Sequence, residues 1–238
     1  MIPFSDTALP GENDLPLFRL ETRDAPALTK LYRQIEIRSD NYLEKMGDGE
    51  NSFAHAGGMF EINDLKRNEE ILSDLSNVVL GAFRDGELCA MIWYNLTGRD
   101  FPFDRIICFK GCQSYGSIIR REGKNGHLLE GKEIIVLPQA GRGLSRRFFR
   151  ILLSQARENG IRYKTGEVYH VDGYRDQTGF HPCDLLNIRS YLTLQKSGGI
   201  PVGTLPQKKV EKEGIVYYIT PHVLLWDLGE MGKKEEES

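Results

Sequence analysis

The sequence predicts a single α/β domain, a mixed sheet flanked by helices, and three observations carry that prediction. In residues 131–160 an apolar run, Ile134-Ile135-Val136-Leu137, stops at Pro138; a glycine-rich turn follows, and then an amphipathic helix that ends at Asn159-Gly160. Residues 78–96 read as a hairpin, two apolar strands joined across Arg84-Asp85-Gly86-Glu87. Along the whole chain the patterns run strand, helices, hairpin, strand, turn, helix, strand, helix and two closing strands.

Taken in order, residues 1–16 form an N-terminal arm without periodicity. Residues 17–21 alternate as a first strand. Thr22 or Asp24 caps a helix with Pro26 in its first turn and Leu28, Leu31, Ile35 and Ile37 on one face. Residues 40–46 suggest a short helix, and Ile62, Leu65, Ile71, Leu72 and Leu75 a second amphipathic one. After the hairpin, Ile106 to Phe109 adds a strand, while residues 120–126 read as a polar surface loop. Residues 163–171 make a strand, 172–184 a loop, 187–199 a helix, and 200–205 and 215–228 the last strands. The domain spans residues 17–228, and residues 229–238 are a charged tail.

A chain of 238 residues with 40% hydrophobic and 27% charged residues is long enough to bury a core, and its composition is that of an ordinary globular protein. A net charge of −3 argues against a nucleic-acid partner. No apolar run reaches membrane-spanning length and no secretory leader is legible, so no membrane partner and a cytoplasmic location are expected. Cys89, Cys108, Cys112 and Cys183 lack the spacing of a disulfide framework or a metal site, so free thiols and no metal are expected.

The glycine turn carries the chemistry. The first N–H groups of a helix have no internal partner, and the helix dipole favours an anion there. Gly141 and Gly143 let backbone approach a ligand closely, and Arg142 adds a positive charge, which points to phosphate or pyrophosphate. The stretch is not a Walker loop, since no Gly-Lys-Ser/Thr follows, and it lacks the third glycine of a dinucleotide fingerprint.

The shape V-x-P-x-x-x-R-G-L-S resembles the acyl-CoA segment of the GNAT superfamily of N-acyltransferases, with Gly143 on the central glycine, Ala140 where Gln or Arg is usual and Ser145 where Gly or Ala is usual. A second match lies at 187–199: Asn187, Ser190, Lys196 and Gly198 fall at the spacing of the family's Asn-x-x-Ala and Lys-x-Gly motifs. Leu194 stands in the family's Tyr position and Gly199 in its Phe position. The resemblance implies a mostly antiparallel central sheet, with residues 97–130 inserted between the third and fourth strands. It also implies acetyl-CoA or another acyl-CoA as cosubstrate and a small-molecule or peptide amine as acceptor, the latter met by residues 39–76. A homodimer is left open.

On that resemblance Val136, Leu137, Gln139, Ala140, Gly141, Arg142, Gly143, Leu144, Ser145 and Asn187 hold the cosubstrate, and a backbone N–H near Leu137 meets the thioester oxygen. The amine needs a base: Glu133 is the candidate, with Glu167 and His170 as alternatives. The leaving thiolate needs a proton. Leu194 has none to give, so water is the expected donor, with Tyr191, one turn earlier, as the candidate side chain. Two further readings stand beside the enzyme: a GNAT-fold acyl-CoA-binding module, and a nucleotide-binding domain using the same turn.

Overall fold

The computed structural model describes residues 15–98, 100–141 and 143–229. The arm up to residue 14, Arg142 and the tail from residue 230 lie outside the described residues. Strand β1 (Leu17–Arg19) leads into α1 (Ala25–Ile35), with a proline in its first turn, and then come the short helices α2 (Tyr42–Met46) and α3 (Phe53–Ala56). Helix α4 (Leu65–Ser73) is capped by Asp64, whose side chain accepts from the Arg67 N–H at 2.7 Å. Ile37 lies beyond α1 rather than on its face, in a separate buried cluster beside the Glu36↔Met59 bridge.

Strands β2 (Asn77–Arg84) and β3 (Glu87–Asn95) form the hairpin, turning through Asp85 and Gly86 at φ 51° and 79°. Two positive φ values are what a tight two-residue turn matched to strand twist requires. β3 alternates from Ala90 onward. Met91 and Trp93 pack towards α1 and α4 with Leu28, Leu31 and Ile71, whereas Ile92 and Tyr94 pack on the opposite face.

The insertion differs from expectation. β4 (Ile107–Cys108) forms as read, but residues 113–125 are a helix, α5 (Gln113–Asn125), closed by Gly126 at φ 71°. Its periodicity is hidden because two of its inward positions are glycines. A Cβ at Gly116 would stand 2.2 Å from the Cys108 sulfur, and one at Gly123 2.5 Å from the Phe103 ring. The next strand, β5 (Leu128–Val136), begins at Leu128, so the insertion is shorter than 97–130.

Helix α6 (Leu144–Glu158) buries Phe148, Phe149, Leu152 and Leu153 against the face that carries Ile92 and Tyr94. Strand β6 (Tyr163–Asp176) runs on through the expected loop and returns as β7 (Gly179–Leu186). Gly173, read as a loop residue, sits inside β6 because the Phe180 ring lies 2.7 Å from where its Cβ would be. Helix α7 (Ile188–Lys196), β8 (Ile200–Thr204), β9 (Lys208–Lys212) and β10 (Ile215–Asp227) complete the chain. β9 escaped the sequence reading because Lys-Lys-Val-Glu-Lys offers one buried side chain, Val210.

The sheet runs β1-β2-β3-β5-β6-β10-β8-β4, with β7 on β6 and β9 on β10. Every pairing is antiparallel except β5 with β6. That parallel pair holds only from Leu128↔Tyr163 to Gly131↔Gly166. β5 continues to Val136 and β6 to Asp176 without touching, so the two strands splay and the sheet has a gap at its middle.

Candidate functional site

The gap opens towards the glycine turn. Gly141 and Gly143 have φ 86° and 87°, conformations that side-chain-bearing residues rarely adopt. Around a Cβ built at Gly143 nothing lies within 4 Å, and at Gly141 only an Arg84 nitrogen, at 3.9 Å. Gly143 is the N-cap of α6, its carbonyl accepting from Arg147 N–H at 3.1 Å. The space beside both glycines is open, and the first N–H groups of a helix lack an intrahelical acceptor, so the turn fits a phosphate-bearing ligand.

Three cavities line up through the gap. On the α6/α7 face a cleft of about 100 Å³ is lined by Val136, Ser145, Asn187, Ser190 and Leu194, among others. On the α1/α4 face a larger one, about 370 Å³, is lined by Phe60, Trp93, Tyr169 and eight charged residues. Between them a cavity of about 50 Å³ shares Ile134, Phe149 and Leu194 with the first, and Trp93, Gly131, Lys132, Glu133 and Glu167 with the second. We call the smaller cleft, beside the glycine turn, the donor side and the larger the acceptor side.

Of the residues read from sequence, Val136, Ser145 and Asn187 reach the donor cleft. The Asn187 side chain also caps α7, accepting from Ser190 N–H at 3.1 Å. Leu137, Ala140 and Leu144 have side chains buried in the core, and Gln139 is exposed on the turn. One expectation is corrected. The Leu137 N–H is already donated to Cys89 O at 3.0 Å, so it is not free to meet a ligand oxygen. Strand N–H groups alternate in direction, so those of Ile134 and Val136 point away from β3 into the gap.

Glu133 faces the acceptor cleft and accepts a hydrogen bond from the Tyr32 hydroxyl. Burial pushes its carboxyl up to about 7, opposed by the Tyr32 bond and by Lys132 and Lys208. Across the gap Glu167 is also pushed up to about 7, by burial and then by the Glu130 charge. Burial raises Glu130 too, against the pull of Lys132, whose ammonium donates to Glu130 Oε1 at 2.6 Å. Lys208 donates to the Tyr169 hydroxyl at 3.0 Å; burial alone would lower its pKa, and Tyr169 and Glu167 outweigh that.

His170 is held elsewhere, between Asp172 Oδ1 at 2.7 Å and Asp184 Oδ1 at 2.6 Å, and lines none of the three cavities. Tyr191 does not line them either; its ring lies edge-on to His222 at 6.4 Å. Glu130, Tyr169, Lys208 and Lys164 were missed from sequence because they come from distant segments and share no motif. Among the described residues no group of three His, Cys, Asp or Glu side chains could hold a metal ion, and no helix is long and apolar enough to cross a membrane.

No family model and no curated protein matches the sequence. Solved structures do match the architecture. A ribosomal-protein-alanine N-acetyltransferase from Brucella melitensis is 19% identical with a TM-score of 0.52, covering 90% of this chain and 99% of its own. An N-acetyltransferase from Staphylococcus aureus Mu50 covers the same shares at 13% identity and TM-score 0.52. A probable acetyltransferase of the GNAT family from Chromobacterium violaceum covers 97% of this chain and 96% of its own, at 16% identity and TM-score 0.52. The chain has the GNAT fold. Between β3 and β5 the chain forms β4 and α5, and β4 pairs with β8 at the far edge of the sheet.

Proposed function

We propose that this protein is an N-acyltransferase that moves an acetyl or other short acyl group from acyl-CoA to a primary amine. The observation that carries the reading is the gap between β5 and β6, entered from one face beside a helix N-terminus and from the other through a charged cleft. Backbone N–H groups at the start of α6 bind the pyrophosphate, and the outward-facing N–H groups of Ile134 and Val136 hold the donor along β5 in the place β6 has vacated. They also stand where negative charge develops on the thioester oxygen.

The acceptor is a small-molecule or peptide amine. It enters a cleft where Glu61, Asp100, Glu130, Glu133 and Glu167 outnumber Arg67, Lys132 and Lys208, which suits a cation. Glu133 takes the proton of the attacking amine; a carboxyl poised near neutrality is suited to that task. Tyr32 fixes the orientation of that carboxyl.

Melting curves with CoA, ATP and NAD, followed by assay of CoA release across a panel of amines, test the reading. CoA at about a hundred times its dissociation constant should stabilise the fold by about 2.7 kcal/mol. ATP and NAD should give less, and at least one amine should give saturable CoA release. A CoA shift without release for any amine would favour the binding module instead.

A further inference from the structure

One buried group stands in the gap without a role in the chemistry above. Lys164 is 1% exposed, and its Nζ lies 3.5 Å from the centre of the Trp226 ring and 5.4 Å from that of Phe149. Among the described residues it has neither a carboxylate partner nor a hydrogen-bond acceptor. Buried lysines without partners are rare, since taking an ammonium out of water is costly.

Its location is specific. Gly131 and Gly166 are the last paired residues before the strands part, and Lys164 fills the room their missing side chains leave. A Cβ would stand 3.2 Å from Nζ at Gly131 and 3.3 Å at Gly166. Lys164 lines the central cavity together with Leu194, Phe149, Glu133 and Glu167, where the donor and acceptor clefts meet. Leu194, in the position of the Tyr of the resembling family, projects into this same cavity and offers no proton.

We propose that Lys164 is the acid that protonates the departing CoA thiolate, supplying from β6 what Leu194 cannot supply from α7. The assignment rests on the acyltransferase reading. The amine, which enters as a cation, first gives one proton to solvent; the neutral amine then attacks the thioester carbon and forms the C–N bond, and its N–H proton passes to the Glu133 carboxylate. The C–S bond breaks with its electron pair on sulfur, and the Lys164 ammonium gives that sulfur a proton. Glu133 then releases its proton to solvent and Lys164 takes one up. The net products are amide and CoA thiol, with both side chains restored.

The surroundings suit this task. The face of Trp226 favours the charged amine, while burial pulls the Lys164 pKa down to about 7, so the proton is transferable near neutral pH. The other titratable groups facing the cavity are Lys132 and Glu133 from β5 and Glu167 from β6. From α6 and α7 it meets Phe149, Leu152 and Leu194, which do not titrate, and from β10 the Trp226 ring.

The test follows the ionisation of the thiol of bound CoA by its ultraviolet thiolate absorbance across pH, in the wild type, Lys164→Met and Lys164→Gln. Calorimetric CoA affinity is measured alongside. The bound thiol should ionise at least about tenfold more readily in the wild type than in either variant, at similar affinity. CoA release to an accepted amine should fall by at least about tenfold in both. Equal thiol ionisation at unchanged affinity, or unchanged release in both variants, overturns the role of Lys164 and leaves the acyltransferase reading standing. Failure of the wild type to bind CoA overturns both.

Discussion

The donor and acceptor sides of the gap are made of different things. On the donor side the groups facing the space are backbone N–H, apolar side chains, small polar ones and a single charged one, Arg189, drawn chiefly from β5, α6 and α7. On the acceptor side they are carboxylates and ammonium groups gathered from residues as far apart as Glu61 and Lys208. A cosubstrate with an invariant phosphate can be met by backbone, which is the same whatever the side chains. An acceptor that must be told from other amines needs side chains, and those can come from anywhere in the chain.

The sharpest way to break that contrast is Gly143→Val, which should abolish detectable CoA binding by calorimetry. At φ 87° valine is strained by about 1–3 kcal/mol, and its side chain would occupy the open space before α6. Arg142→Ala, which removes one side-chain charge, should weaken binding less. The reverse order would show that side chains recognise the donor as well.

Next in size is Glu133→Gln. It should lower kcat by about 10²–10⁴-fold with CoA affinity unchanged. In the wild type kcat/KM should rise towards about pH 7 as Glu133 loses its proton and fall above it as Lys164 loses its own; the variant should lack the rise on the acid side. Retention of the rise would move the base to Glu167 across the gap.

A smaller effect, on stability rather than rate, is expected from Lys164→Met. The Lys164 pKa is lowered from 10.5 to about 7 by burial, so below pH 7 the native state carries the full penalty of a buried ammonium. The variant should melt several degrees higher there. Its advantage should fade between about 7 and 10.5, where native Lys164 becomes neutral. An advantage that is constant with pH would mean the ammonium is not the source. Smallest of all, Tyr191→Phe should change CoA release by less than about twofold, because its ring faces His222 rather than the gap.

What was legible in the sequence follows the same division. Gly141 and Gly143 announced a turn where backbone can approach a ligand, Asp85-Gly86 a tight hairpin, and Asn187 a helix start, because each acts on its own neighbours. α5 was hidden by Gly116 and Gly123, whose requirement for close packing against Cys108 and Phe103 is a tertiary fact. The far end of β6 and all but the end of β7 were read as loop because Gly173, Gly179 and Pro182 are turn signals, although 163–171 was read as strand. The engagement of the Leu137 N–H depends on β3, and the place of Lys164 on two glycines from different strands. No local pattern encodes either.

The short parallel seam also divides the hydrogen bonding of the sheet. β6 is joined to β10 from Tyr163↔Asp227 to Arg175↔Val216, and β2 to β3 along their full length, but β5 and β6 are joined only from Leu128 to Gly131. The sheet is thus two well-paired halves joined by a narrow seam at Gly131 and Gly166, with α6 packed across both. A ligand lying along β5 and reaching α7 would touch both halves and close the sheet where its own hydrogen bonds lapse.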